Sequence, residues 1–400
     1  MATEISRFCS LHQPAKTTLF KQESKNGVTY RIPALIYIDQ TFLAFAEKRT
    51  SPCDSDADIL VMRRGTFQDG SIQWSSTEEL TSAQLSGHRT MNPCPVYENA
   101  SKTLFLFFVC IPGHVSEHHQ ICTGKNQARL CYITSSDKGL TWSPLTDLTK
   151  SVIGEEITKW ATFAVGPGHG TQMMNGRLII PAYAYYIHKR CPLARFPLCV
   201  KSHAFVFYSD DHGNTWHFGE KVQEESCECE MAEIIDSEGR SHLYCNARST
   251  KGHRVEAFSK NSGVDFCKSH FAQKLVEPRH GCQGSVLSFP VQKWGDNDQS
   301  ERYRVCPTSS DSSNTQTWLL YVHPTNKKKR RDLGVYLNKS PLHTTGWEQP
   351  WIIHQGPSGY SDVAQDEKGL FACLMECGVE SELEEIAFAH FHFNDMMEAF

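Results

Sequence analysis

The chain has 400 residues, 40% of them apolar and 21% charged, with a formal net charge of −5. That balance is ordinary for a globular protein and offers no broad attraction to nucleic acid or other polyanions. No run of eighteen apolar residues occurs, and residues 1–18 hold no apolar signal core, so neither membrane spanning nor secretion is expected. Sixteen cysteines in such a chain read as free thiols packed as small hydrophobes, not as a disulfide framework. Cys227-Glu228-Cys229 and the Cys373, Cys377 pair lack a matching histidine pattern, so structural zinc is not expected.

In chain order, apolar runs of strand length begin at residues 34–38 and 42–46. These flank Asp39-Gln40-Thr41 and predict a hairpin. Further runs follow at 59–62, 104–110, 178–186, 204–208, 318–322 and 386–392, while long helical periodicity is missing, so the chain reads as all-β. One domain, 1–400, is expected, with residues 293–317, rich in Ser, Asp, Asn and Gln, as a flexible insertion. Two segments differ by charge: 187–201 is basic and apolar with no acid, and 327–331 is five consecutive cations.

An eight-residue pattern recurs. Ser135-Ser136-Asp137-Lys138-Gly139-Leu140-Thr141-Trp142 and Ser209-Asp210-Asp211-His212-Gly213-Asn214-Thr215-Trp216 both read S-x-D-x-G-x-T-W, and residues 259–266 form a degenerate third copy with Asn261 for Asp and Phe266 for Trp. The Asp can bond back to turn amides, the Gly can take positive φ, and the Trp can cover the turn. Asp137 and Asp211 lie 74 residues apart, and Asp211 and Asn261 50. Such spacings fit four-stranded propeller blades, about six of which would use the whole chain, so a six-bladed β-propeller is expected. A β-sandwich with similar turns is the alternative.

Tyr30-Arg31-Ile32-Pro33 near the N-terminus, together with these boxes, resembles the signature of sialidases. The resemblance runs from about Leu19 to His392, through Ala44-Phe45-Ala46-Glu47, residues 87–95 and 162–169, Asn246-Ala247-Arg248, residues 281–285, Asp332-Leu333-Gly334 and Gly359-Tyr360-Ser361-Asp362. Residues 45–49, 109–114 and 351–354 most resemble the membrane-associated ganglioside sialidases of vertebrates rather than their cytosolic relatives.

The resemblance implies a retaining exo-α-sialidase that needs no cofactor or metal. Its substrate carries a carboxylate on the anomeric carbon, which planar guanidinium groups suit; the resemblance places three, at Arg31, Arg248 and Arg330. A carboxylate nucleophile would be repelled there, and sialidases use a tyrosine instead; the motif selects Tyr360. A phenol near pKa ~10 needs a base, for which Glu228 is selected, with Glu230 and Glu233 close enough in sequence to compete. The proton donor maps to Asp54, in Cys53-Asp54-Ser55-Asp56-Ala57-Asp58, where the acid that usually follows the donor is replaced by Ser55. By the same matching Arg49 stands beside the acid loop, Asn92 and Glu117 near the sugar, Tyr183 and Tyr185 around its substituents, Gln283 near the ring, and Glu376 steadies Arg31.

The expected substrates are sialylated glycolipids, gangliosides above all, with sialoglycoproteins and oligosaccharides beside them, and nucleic acid is not a partner. Residues 187–201 are expected to form a loop at the rim of the site that meets a membrane surface through cations, apolar residues and acylation of Cys191 or Cys199. This implies peripheral association with the plasma membrane, against a cytoplasmic alternative. Two rivals stand beside the enzyme: a non-catalytic sialoglycan-binding propeller, since fold does not fix function, and an interaction scaffold using the basic run 327–331.

Overall fold

The computed structural model describes residues 13–191, 196–294, 302–305, 315–343 and 345–400. It is almost entirely β, with antiparallel strands joined in up-and-down order. The first hairpin pairs Thr29–Ile38 with Thr41–Arg49 across Asp39 and Gln40, both at positive φ. This is the geometry a two-residue turn needs to match strand twist.

An all-β propeller is what the repeats predict, but the count of six blades is corrected by the strand pairing. Among the described residues the strands form five hydrogen-bonded sheets: four are blade-sized, with four or five strands each, and the fifth has eight. The long strand Trp351–Gln365 joins what would otherwise be separate units, pairing through its first half with Arg331–Asn338 and through its second with Leu370–Cys377. Counting blades as equal lengths of chain misses a sheet of double width. The ring closes where Lys16–Lys21, near the N-terminus, pairs with Glu385–His392, near the C-terminus.

Apolar clusters fill the spaces between neighbouring sheets, because each sheet is apolar on both faces. Phe105 and Phe107 of one sheet meet Trp160, Phe163 and Phe205 of the next, and Leu35, Phe42 and Ala44 meet Leu374, Ile386 and Phe388 at the closure. A buried aromatic of this kind covers on the order of 200 Å², which stabilises by about 5 kcal/mol at the usual area coefficient.

The Asp boxes fold as their residues predict. Asp137 accepts from the Thr141 amide at 2.9 Å and the Thr141 hydroxyl at 2.6 Å, and Ser135 Oγ accepts from the Gly139 amide at 2.8 Å. Asp211, Thr215, Ser209 and Gly213 repeat the set at 2.8, 2.7 and 2.9 Å. In the third copy the polarity is exchanged: Asn261 Nδ2 donates to Asp265 Oδ2 at 2.8 Å, so the turn survives the loss of its Asp. Trp142, Trp216 and Phe266 each pack into a cluster between sheets.

These turns follow the C-terminal ends of the third strands, Arg129–Ser135, Pro197–Ser209 and His253–Ser259. Up-and-down order makes third strands parallel to first strands. The boxes therefore lie on the face opposite the N-terminal ends of the first strands.

Part of the expected insertion, residues 295–301 and 306–314, lies outside the described residues. Within it, Arg302–Val305 is a strand paired with residues 291–294.

Candidate active site

The side chains that the resemblance matches to a role sit on the face away from the Asp boxes. Arg31, Asn92, Glu228, Gln283 and Tyr360 belong to first strands or the residues leading into them, and Arg49, Tyr183, Tyr185, Arg248 and Glu376 to the far ends of second strands. Asp54, Glu117 and Arg330 occupy connections between second and third strands. Separations of hundreds of residues thus collapse onto one axis.

At the centre, the Tyr360 hydroxyl donates to Glu228 Oε1 at 2.5 Å. Arg248 Nη1 donates to Glu228 Oε2 at 2.6 Å and to the Tyr360 oxygen at 2.9 Å. Burial, then the Glu228 carboxylate, pushes the phenol well above its ordinary value, while Arg248 and Arg330 pull it down. Tyr360 is therefore a neutral phenol at rest. The guanidinium carbons of Arg31 and Arg330 lie 5.4 and 5.2 Å from the centre of its ring.

Glu376 holds Arg31 in a two-pronged contact, at 2.7 Å to Nε and 3.3 Å to Nη2, and its remaining capacity is taken by the Ile32 and Tyr360 amides at 2.9 and 3.0 Å. Burial works against the charge on Arg31, but Glu376 outweighs it and raises the guanidinium above its ordinary value. Breaking such a buried pair by removing one partner typically costs about 3–5 kcal/mol. Ile32 stands at φ 61°, a region that β-branched residues avoid, and Asn92 at φ 60°; each precedes a proline at a bulge in its first strand.

Arg49 binds Glu47 at 2.6 Å with one edge and Asp54 with the other. The Asp54 side chain is 77% exposed. Desolvation would raise its carboxyl, but Arg49, then Arg31 and Arg330, hold it below the ordinary value. Glu117 opens a short helix, Glu117–Thr123, capped by Ser116 and by Gly124 at φ 64°. It stands open to water at the rim, yet the surrounding protein and the carboxylates of Glu228 and Asp54 push its carboxyl up to about 7. The rings of Tyr183 and Tyr185 are 6.2 Å apart, edge to face.

Two of the expected contacts are engaged within the protein. Gln283 donates to Ser361 O at 2.9 Å and accepts from Ser361 N at 3.0 Å, so its buried amide braces the residue after Tyr360. Asn92 Nδ2 donates to Val165 O at 3.2 Å.

Of Glu228, Glu230 and Glu233, Glu228 is the one whose carboxylate meets the Tyr360 hydroxyl. Glu233 accepts from Met174 N at 2.8 Å and Ser241 Oγ at 2.5 Å, near the far end of its strand. Glu230 lies one layer beneath Glu228, as Asp362 lies beneath Tyr360, because residues two apart in a strand share a face. Ser285 Oγ bridges Glu230 and Asp362 at 2.8 Å each, and His169 Nδ1 is 2.7 Å from Asp362.

The candidate ligand atoms of His169, Glu230 and Asp362 fall within 4.8 Å of one another, a spacing a metal ion can use. Each is already satisfied by these bonds, by Val286 N on Glu230 at 2.9 Å and by Leu35 N on Asp362 at 2.6 Å. Burial, then Asp362, raises Glu230 well above its usual range. Burial would lower His169, but Asp362 and Glu230 outweigh it and raise it to about 9. The cluster is a braced ionic layer under the site. The spacing of two from Tyr360 and Glu228 is the sequence signal that points to it.

An open groove of about 600 Å³ lies elsewhere, at the Asp-box face, beside Trp74, Tyr97 and Asp137. Its Arg64 and Lys138 are bonded to Gly139 O and Asp39 O at 2.9 Å each, and no nucleophile, base and acid converge there.

Segment 187–201, expected as a loop, is mostly paired backbone. Strands Leu178–Arg190 and Pro197–Ser209 extend past the body of their sheet as one arm, with Ile187 opposite Val200 and Lys189 opposite Cys199. The pairing of these two strands, not any local pattern in 197–201, makes the segment a strand. Residues 192–195 at its turn lie outside those described. No helix among the described residues is long and apolar enough to cross a membrane.

Fold and site together define a β-propeller with a tyrosine, a carboxylate and three converging arginines at one end of its axis. A family model described as a BNR repeat-like domain matches residues 40–373. Sialidase-3 of Bos taurus is 51% identical over 401 residues, covering 96% of this chain and 93% of its own, and Sialidase-3 of Homo sapiens 47% over 406 residues, covering 97% and 94%. Sialidase-2 of Mus musculus is 46% identical over 390 residues, covering 94% of each chain. The chain belongs to the sialidase family, glycoside hydrolases that release terminal sialic acids. Among solved structures, the Hadza microbial sialidase Hz136 shares the fold at TM-score 0.74 and 19% identity, over 95% of this chain and 68% of that one. A Trypanosoma rangeli sialidase in complex with 2,3-difluorosialic acid does so at 0.67 and 16%, over 96% and 59%.

Proposed function

We propose that the chain is a retaining exo-α-sialidase acting on gangliosides at a membrane surface. The observation that carries the mechanism is the 2.5 Å contact from the Tyr360 hydroxyl to Glu228 inside the ring of Arg31, Arg248 and Arg330. The arginines hold the substrate carboxylate. Tyr360 attacks the anomeric carbon while Glu228 takes the phenolic proton, and Asp54 protonates the departing glycosidic oxygen. In the second step Asp54 takes a proton from water, the water attacks the anomeric carbon, and the tyrosine leaves and regains its proton from Glu228. Two inversions give net retention.

The depressed Asp54 carboxyl of the free protein fits this role once the substrate arrives. A bound carboxylate neutralises part of the arginine field that lowers Asp54, so its pKa rises in the complex, where a proton donor is needed.

The membrane part rests on the arm at 187–201. Phe196 and Leu198 are 46% and 51% exposed, and Lys189 and Lys201 stand exposed on the same projection, beside the second-strand tyrosines of the site. Apolar side chains flanked by cations suit an anionic lipid surface, and the arm would present the site to headgroup sugars.

Tyr360→Phe removes one oxygen from an otherwise similar ring. It should cut kcat on a fluorogenic sialoside by at least about a thousandfold while binding of a dehydro-sialic acid analogue stays within a few fold. Near-normal turnover would overturn the assignment and favour a binding propeller.

A further inference from the structure

Two of the three arginines are aimed by backbone carbonyls rather than by acids alone. Arg248 donates to His280 O from Nη2 at 2.8 Å and from Nε at 3.2 Å, and Arg330 Nη2 donates to Gly281 O at 3.1 Å. These adjacent carbonyls belong to residues at φ 69° and 73°, both in the left-handed region. A non-glycine residue there is strained. A Cβ on Gly281 would stand 2.6 Å from Ser249 O and 2.8 Å from Arg248 Cγ, so only glycine lets the loop approach the arginine this closely.

What holds the strained pair lies immediately below. Glu277 and Arg254, fully buried, form a 2.9 Å ion pair. Glu277 Oε2 accepts from Cys282 N at 2.9 Å, and Arg254 Nη1 donates to Cys282 O at 2.6 Å, fixing the residue after Gly281 from both sides. Glu277 Oε1 accepts from Ser249 N at 3.1 Å, fixing the residue after Arg248. Arg254 Nε donates to Asn246 Oδ1 at 2.7 Å, two residues before Arg248, and His323 Nε2 lies 3.2 Å from Glu277 Oε2. One carboxylate thus ties the strand that carries Arg248 to the loop that aims both Arg248 and Arg330.

We infer that Glu277, paired with Arg254, is a positioning residue for substrate-carboxylate recognition: it holds the His280 and Gly281 carbonyls where they orient Arg248 and Arg330. This rests on the reading of those arginines as the carboxylate clamp. A buried pair with only a packing role would be replaceable by apolar residues of similar volume. A positioning role predicts instead a selective loss for ligands that carry the carboxylate.

The test compares the affinities of purified protein for 2-deoxy-2,3-dehydro-sialic acid and for its methyl ester, which lacks the charge. In Glu277→Gln, which keeps the shape of the side chain, the carboxylate-to-ester affinity ratio should fall about tenfold or more, with KM for a soluble sialoside rising more than kcat falls. An unchanged ratio in folded Glu277→Gln, both ligands weakened equally, would overturn the inference. Should that variant not fold, Glu277→Asp, which keeps the charge against Arg254 but draws the carboxylate back from the Cys282 and Ser249 amides, decides: a fall in the ratio supports the inference and an unchanged ratio rejects it. The wild-type ratio separates a failure of the arginine clamp from a failure of the Glu277 role. A value near one would reject the arginine clamp itself, whereas a large value preserved in both variants would leave the clamp standing and remove Glu277 from it.

Discussion

Asp54 and Arg49 show how a charge that serves binding can oppose catalysis. In the free protein Arg49, then Arg31 and Arg330, stabilise the Asp54 carboxylate, yet the mechanism needs that group protonated. Because kcat/KM follows the free enzyme, it should fall as pH rises through the titration of Asp54. Arg49 cannot be removed alone without stranding the buried Glu47 carboxylate. The double variant Glu47→Gln/Arg49→Gln removes both charges. Loss of the nearer cation leaves the Asp54 carboxylate less stabilised, so its pKa rises and a pH series of kcat/KM should show the alkaline limb moved upward by about half a unit to one unit. A downward shift would mean that Asp54 is not the group reported. At this scale the sequence was informative wherever a motif names a residue, as at Tyr360, Arg31 and Glu376. It was silent on Glu277, which acts through contacts that only the closed ring creates.

The Asp boxes test whether a turn on the far face matters for stability alone. Asp211→Ala removes the acceptor of the Thr215 amide and hydroxyl. A thermal scan should show Tm lowered by about 2–4 °C with kcat/KM unchanged. The third copy gives a sharper case. Asn261→Asp moves the sequence toward the repeat pattern but places a second carboxylate where Asn261 Nδ2 now donates to Asp265. It should destabilise the protein at neutral pH and recover on acidification, since like charges in contact raise one another's pKa and one proton relieves them. Stabilisation at neutral pH would contradict the exchanged polarity. The box spacing made these turns legible, whereas the long strand Trp351–Gln365 was not, because nothing in a strand's composition says whether it pairs with one neighbour or passes on to a second.

The whole molecule brings first-strand starts and second-strand ends from around the ring onto one face, and sets the arm at 187–201 beside them. Replacing Lys189, Phe196, Leu198 and Lys201 with Ser leaves Arg190 in place to bond Thr158 O at 3.0 Å. This variant should lose sedimentation with anionic vesicles and activity on a vesicle-borne ganglioside while keeping its rate on a soluble sialoside. Equal loss on both substrates would place the arm in the site's architecture rather than at the membrane. Composition marked this segment as unusual, but its pairing depends on register with 178–190, a relation between distant residues that local reading does not contain.

A covalent bond to Tyr360 on the reaction path can be trapped. Fluorine beside the anomeric carbon slows both steps, and a fluoride leaving group restores the first, so 2,3-difluorosialic acid should accumulate as an adduct. Intact mass and peptide mapping should find one 3-fluorosialosyl unit on Tyr360 in the native protein and none in Tyr360→Phe. An adduct on Glu228 or Asp54, or turnover of soluble sialosides with no adduct on any residue, would contradict the account.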